Sequence, residues 1–441
     1  MESVNLRNKY KIEPHYYDKY EVHQGLRKRD GTGVLVGLTR IGDVHGYILD
    51  EGNKVPVPGR LTYRGINVLD LIKACLSEDR FGFEETAYLL LFGDLPTTAQ
   101  LAEFTNTLRE RQYLPNDFAE DVILSAPSNN IMNKLAQCVL ACYAYDSEPD
   151  STELEVVVNQ CIDLIARFPV MVAYAYQAKQ RYYEGKNLFI RMPDPSLSVA
   201  ENFLQMFRQT GEYSKLEATI LDLALILHAE HGGGNNSTFA VHVVSSTGTD
   251  TYSAISAAVG SLKGPRHGGA NIAVLDMMSE IKANVKNWAS TDEVWNYLGK
   301  IVKKEAGDGS GLIYGIGHAV YTESDPRSEA LKTYAVSLAK EKGRQDEMEL
   351  YLLIEKLAPK VFAEVKGSDK VVAANVDFFS GFVYQMLDIP DELCTPIFAM
   401  SRIVGWCAHR IDELVNGGRI IRPAYRNADK RRKYISIKNR N

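Results

Sequence analysis

Apolar positions recur at helical spacing along most of this chain and at strand spacing only near its start. Leu69, Leu71, Ile72 and Cys75 share one face of a helix that begins near Asn67. Phe83 to Phe92 repeats the pattern, and Gly93-Asp94-Leu95-Pro96 stops it. The same reading predicts helices over 99–112, 117–125, 129–145, 152–182 and 198–210, with breaks at Pro115, Pro127, near Pro149 and at Gly185. Residues 215–230 are apolar nearly all round (Ile220, Leu221, Leu223, Leu225, Ile226, Leu227), which marks a helix buried in a large core. Further helices are predicted over 237–262, 269–287, 291–304, 326–342, 346–366, 375–387 and 395–416. Residues 33–50 mix β-branched residues with Gly and Asp and read as one or two short strands. The polar, tyrosine-rich start, 1–32, reads as an N-terminal arm. The predicted fold is mainly α with a little β near the N-terminus.

Composition agrees with a folded, core-forming chain. Of 441 residues, 45% are hydrophobic and 24% charged, which excludes wholly disordered, collagen-like and disulfide-dense classes. The net charge of −6 argues against a general nucleic-acid binder. Residues 410–441 hold ten Lys or Arg against three acids, so the tail is +7 and the rest −13. Such a tail is either a solvated surface or a device for capturing an anion. Cys138 and Cys142 have no second Cys or His pair to complete a zinc site and read as core residues. No metal is expected. No 18 apolar residues run uninterrupted, and the first twenty lack the apolar stretch of a signal peptide. The expectation is a cytoplasmic protein that does not engage a membrane.

With only nine histidines in the chain, four loops stand out. His231-Gly232-Gly233-Gly234-Asn235-Asn236-Ser237 follows the apolar helix; its glycines permit a close backbone approach, and Ser237 is placed to cap the next helix. Lys263-Gly264-Pro265-Arg266-His267-Gly268-Gly269 sets His267 beside a helix N-terminus, which favours neutral imidazole. Gly307 to Gly317, just before His318, packs five glycines into eleven residues, then gives way to Asp325-Pro326-Arg327; it is neither a dinucleotide fingerprint nor a P-loop. Asn375-Val376-Asp377-Phe378-Phe379 flanks an acid with apolar residues, which raises its pKa toward that of a general base. Each has a plain structural alternative: a helix C-cap, an interhelix turn or an N-cap. Arg402, in an apolar helix, needs either a protein acid or a bound carboxylate. His228, His231 and His242, the first two at i, i+3 on one helix face, are not read as a metal site. Together, histidines, arginines and one shielded Asp suit a dianionic substrate bearing a carbonyl.

These residues, with Leu61-Thr62-Tyr63-Arg64-Gly65, Phe83-Glu84-Glu85-Thr86-Ala87, Gly315-Ile316-Gly317-His318-Ala319-Val320 and Ser401-Arg402, occur in one order that resembles the citrate synthase family from about residue 33 to the C-terminus. The resemblance implies a two-domain, mostly helical homodimer with a shared active site. It places a small domain over 267–377 and a large one over 33–266 plus 378–441. It implies condensation of acetyl-CoA with oxaloacetate and water, with no cofactor; the nearest alternatives are 2-methylcitrate synthase, using propionyl-CoA, and a non-catalytic CoA- or anion-binding protein. Residue by residue it implies Asp377 as base, His267 on the thioester oxygen, Ser237 orienting that histidine, and His318 on the oxaloacetate carbonyl. It implies His231, Arg327, Arg402 and Arg422 for oxaloacetate, with Arg422 donated across the dimer. Ile313, Gly315, Ile316 and Gly317 match the CoA-binding segment. Where many members carry a basic residue for a CoA phosphate this chain has Thr322, which leaves Lys263 and Arg266 as candidates.

Overall fold

A computed structural model describes residues 2–29, 31–50, 53–318, 320–367 and 372–440; Ala319, within one of the motifs above, lies outside the described residues. Backbone contacts group the chain into two compact units, 1–38 with 420–441, and Thr39–Arg419. In the first, short helices span Glu2–Tyr10 and His15–Lys19, and the Arg426 guanidinium sits 4.6 Å over the Tyr20 ring.

The second unit is built almost wholly from helices at the predicted places, including Phe83–Phe92, Lys215–His228, Thr291–Val302, Gln345–Lys366 and Cys394–Asn416. One predicted helix divides. Residues 237–262 form Asn236–Ser245 and Thr251–Lys263, because Thr247-Gly248-Thr249 interrupts the run and Asp250 recaps it on the Ser253 N–H, 2.7 Å away. Residues 117–125 widen into a π-helical turn at Ala119–Leu124.

Leu154–Glu184 is long and apolar enough to cross a membrane by length and composition alone. Yet 72% of its most apolar window is buried inside the protein. It is a core helix, packed against Cys394–Asn416.

The strands differ from expectation. Regular pairing starts at Gly42, not at residue 33; Gly42–Asp50 runs antiparallel to Asn53–Tyr63, and Ile66–Asn67 adds a third short strand. Asn53–Tyr63 escaped the sequence reading because Pro56, Pro58 and Gly59 break its alternation, which a two-stranded edge tolerates. The hairpin braces the site. A Cβ on Gly59 would lie 2.1 Å from the Ser324 carbonyl, so only glycine lets this strand approach the loop between His318 and Arg327. Tyr63, fully buried, donates to the Ile226 carbonyl at 2.8 Å and ties the hairpin to the end of the apolar helix.

Candidate active site

Three helices present their N-terminal turns at one place, and the same local device builds each. Asn235 caps Asn236–Ser245, Asp325 caps Pro326–Glu341, and Asn375 caps Val376–Met386. Each cap side chain accepts the N–H two residues on: Ser237 at 3.2 Å, Arg327 at 3.0 Å, Asp377 at 3.0 Å. So Ser237, Arg327 and Asp377 all occupy the second position of a helix. Ser237 is therefore not the cap that its sequence context suggested; Asn235 takes the N–H, having the longer reach.

A cavity of about 140 Å³ is lined by His231, His267, His318, Arg327, Asp377 and Arg402, together with Asn235, Asn271, Tyr384 and Phe398. Six of the fourteen residues singled out in the sequence thus meet in one space. Ser237 lies against it: His267 Nε2 is 3.1 Å from Ser237 Oγ. Ser237 Oγ also accepts from Trp406 Nε1 at 3.1 Å and lies 2.8 Å from Asn235 Oδ1. The hydroxyl has one proton for two acceptors. When it goes to His267 Nε2, the imidazole proton is on Nδ1. His318 is fixed differently. Its Nδ1 accepts the N–H groups of Val320 and Tyr321, at 3.1 and 3.0 Å, which puts its proton on Nε2. Tyr321 stacks on the His318 ring, centroids 4.8 Å apart.

The two arginines are held in contrasting ways. Arg327 is paired bidentately with Asp325, at 2.7 and 3.0 Å. Asp325 Oδ2 also accepts the Val376 N–H at 3.1 Å, which locks the Arg327 helix to the Asp377 helix. Arg402 is 0% exposed and gives only its Nε, to the His228 carbonyl at 2.5 Å. Its Nη1 and Nη2, and His231 Nε2, have no hydrogen-bond partner among the described residues. Buried donors left unpaired are costly, so this is an opening for an anion.

Burial sets the protonation states. It pushes His267 down to about 4, helped by the Arg402 charge, and holds His231 well below the ordinary histidine range, helped by Arg327. It raises Asp377 to about 6, against the pull of Arg327 and Arg402. Near neutrality the site therefore offers uncharged imidazoles, fixed cations and a carboxylate of raised basicity.

The glycine loop is zipped to the segment before Asp377: Gly317 N–H to the Ala373 carbonyl at 2.7 Å, and Asn375 N–H to the Gly315 carbonyl at 2.8 Å. A Cβ on Gly315 would lie 2.8 Å from Phe378. Ile313 is buried and Ile316 half-buried, while Lys263 and Arg266 are exposed. Thr322 Oγ1 donates to the Gly46 carbonyl at 3.1 Å, so this residue serves the hairpin contact. Arg422 is exposed and belongs to the unit formed with residues 1–38. Sequence reasoning missed Asp325, Tyr321 and Trp406 as supports; the Asx-x spacing before Ser237, Arg327 and Asp377 was the available signal.

A family model described as the citrate synthase C-terminal domain matches residues 29–424. A Synechocystis citrate synthase is 33% identical over 392 residues, covering 89% of this chain and 88% of its own length. A 2-methylcitrate synthase of Shewanella oneidensis is also 33% identical, over 364 residues, covering 82% and 87%. Among solved structures, the citrate synthase of Thermoplasma acidophilum in ternary complex with carboxymethyl coenzyme A and oxaloacetate superposes with a TM-score of 0.76 at 28% identity, covering 95% of this chain and 99% of that one. Matches of this extent run through both the cavity and the hairpin that braces it, and by them the chain belongs to the citrate synthase family.

Proposed function

We propose that this chain condenses acetyl-CoA with oxaloacetate and water to give citrate and CoA. One observation carries the reading: a buried Arg402 guanidinium, whose Nη1 and Nη2 have no hydrogen-bond partner among the described residues, shares a 140 Å³ cavity with neutral histidines and an Asp of raised basicity. Oxaloacetate supplies two carboxylates and a ketone. Arg402, Arg327 and His231 hold the carboxylates, and His318 Nε2–H polarises the ketone. Asp377 removes a methyl proton from the thioester, while His267 Nδ1–H stabilises the charge arriving on the thioester oxygen. The resulting carbon nucleophile attacks the ketone carbon, and the alkoxide takes a proton from His318. Water then cleaves the thioester, releasing CoA as the thiol. A thioester α-proton is only weakly acidic, so the carboxylate succeeds through oxyanion stabilisation and exclusion of water.

The working assembly in this reading is a cytoplasmic homodimer. Its small domain, 267–377, closes on the large one, Arg422 reaches the partner subunit's site, and the segment at Ile313, Gly315, Ile316 and Gly317 binds CoA with Lys263 or Arg266 near the phosphates. Heterodimers of Arg422→Ala and Asp377→Asn subunits test the sharing: activity equal to the sum of the homodimers would exclude it. A relative named 2-methylcitrate synthase matches at the same 33% identity, so propionyl-CoA is the second candidate donor, on the same residues. Free-thiol release with each donor, with and without oxaloacetate, decides the matter. Oxaloacetate-dependent release favouring acetyl-CoA supports the reading, a propionyl-CoA preference moves it to the alternative, and no release removes both.

A further inference from the structure

Behind the loop that follows His231 runs a second set of ionisable groups that the reaction does not use. Glu413 Oε2 lies 2.7 Å from His242 Nδ1, His242 Nε2 lies 3.0 Å from His409 Nδ1, and His409 Nε2 lies 3.1 Å from Glu230 Oε1. Glu230 and His409 are 0% exposed. Glu230 Oε1 also accepts the Gly232 N–H in a very short contact, so the chain of contacts ends on the backbone immediately after His231.

Counting protons decides what this chain of groups is. Each of the three links needs one hydrogen. Ionised carboxylates bring none, and two neutral imidazoles bring one each. Two hydrogens leave one link as a facing pair of lone pairs, an unfavourable contact both at the fully buried His409–Glu230 link and at the Glu413–His242 link, whose side chains are 13–15% exposed. A third proton fills every link and turns one imidazole into a cation between two carboxylates. We propose that Glu413, His242, His409 and Glu230 form a relay holding one excess proton, which clamps the Gly232 loop and so positions His231. The positioning role rests on the reading of His231 as an oxaloacetate ligand; the proton count does not.

The surroundings fit. Arg402, Tyr63 and Arg64 act electrostatically on or with Glu230, and Asp412 lies beside the two histidines. Burial works against an ionised Glu230, but His409 and Arg402 prevail and keep its carboxyl below the usual range. A divalent cation on His242, His409 and Asp412 could replace the proton, since their ligand atoms lie within 4.8 Å of one another. However, the two ring nitrogens face each other at 3.0 Å, which is a hydrogen-bond approach.

Nitrogen-15 NMR of histidine-labelled full-length protein, from about pH 6 to about pH 9, reads the relay directly. The expected result is one imidazolium near neutrality that disappears in His242→Asn. The same substitution should raise the KM for oxaloacetate about tenfold, with kcat within about threefold, as loss of one charge-assisted hydrogen bond would do. Two neutral imidazoles throughout, stoichiometric zinc surviving dialysis against a chelator, or an unchanged KM would each overturn the proposal. If His242→Asn fails to fold, the wild-type spectrum alone still decides the proton count. If the wild type releases no thiol, the proposed reaction fails, while the spectrum still reports on the relay.

Discussion

Arg208, Glu217 and Lys342 line one cavity of the Thr39–Arg419 unit, and Arg402, Arg327 and Asp377 line another. The first is far larger, about 890 Å³. Its charges answer one another: Arg208 and Lys342 both pair with Glu217, at 2.9 and 2.7 Å. Burial pushes Glu217 up, but these two partners overcome it and hold the carboxyl at about 2. In the smaller cavity the Arg402 Nη atoms meet no acid or other hydrogen-bond partner among the described residues, Glu230 acts on this arginine only through space, and Asp377 is raised to about 6. Balanced charge is a structural solution, whereas charge left unbalanced inside a protein is a cost that a ligand can relieve. Size alone would have picked the wrong cavity.

The contrast can be broken at several points. The largest effect should come from Asp377→Asn, which removes the base and should lower kcat about 10³-fold or more while leaving oxaloacetate affinity within about threefold. Steady-state kinetics and calorimetry separate the two. In the wild type the ionised carboxylate is the active form, so kcat/KM should fall as pH drops through about 6. Next comes Arg402→Leu, expected to raise the KM for oxaloacetate about 100-fold while leaving stability unchanged or higher, because an unpaired buried cation is lost. Glu217→Ala should do the reverse: stability falls by about 3 kcal/mol in urea titration, and kcat/KM of the folded protein holds. By the same pairing, the stability that Glu217 contributes should be whole above its ordinary value of 4.5 and lost as pH falls through about 2. The smallest change is Ser237→Ala, expected to lower kcat about tenfold by freeing the His267 tautomer. If Glu217→Ala instead spares stability and abolishes turnover, the comparison is wrong.

Most helices were legible because their apolar period is strong, as in Cys394–Asn416, and Lys215–His228 from a long apolar run that the glycines after His231 bring to an end. The second hairpin strand was not, since its prolines hide the alternation and only pairing with Gly42–Asp50 makes it a strand. The candidate residues were legible as types on glycine-rich turns. Their supports were not. Asp325 was in plain view beside Arg327, yet nothing in sequence says that its carboxylate will neutralise that arginine and also reach Val376. The relay is the extreme case. Glu230, His242, His409 and Glu413 are scattered over the second half of the chain, and only packing of Asn236–Ser245 and of the loop at Ala229 against Cys394–Asn416 makes them one group.

The Trp406 indole has a consequence of its own. It is fully buried and donates to the same Ser237 oxygen that faces His267. The chain has only three tryptophans, and Trp288 and Trp295 are partly exposed. With those two replaced by phenylalanine, emission from a single indole would register whether the Ser237 hydroxyl points toward the histidine or away from it. The protein thus carries an optical gauge at its centre, able to follow binding in real time without a label.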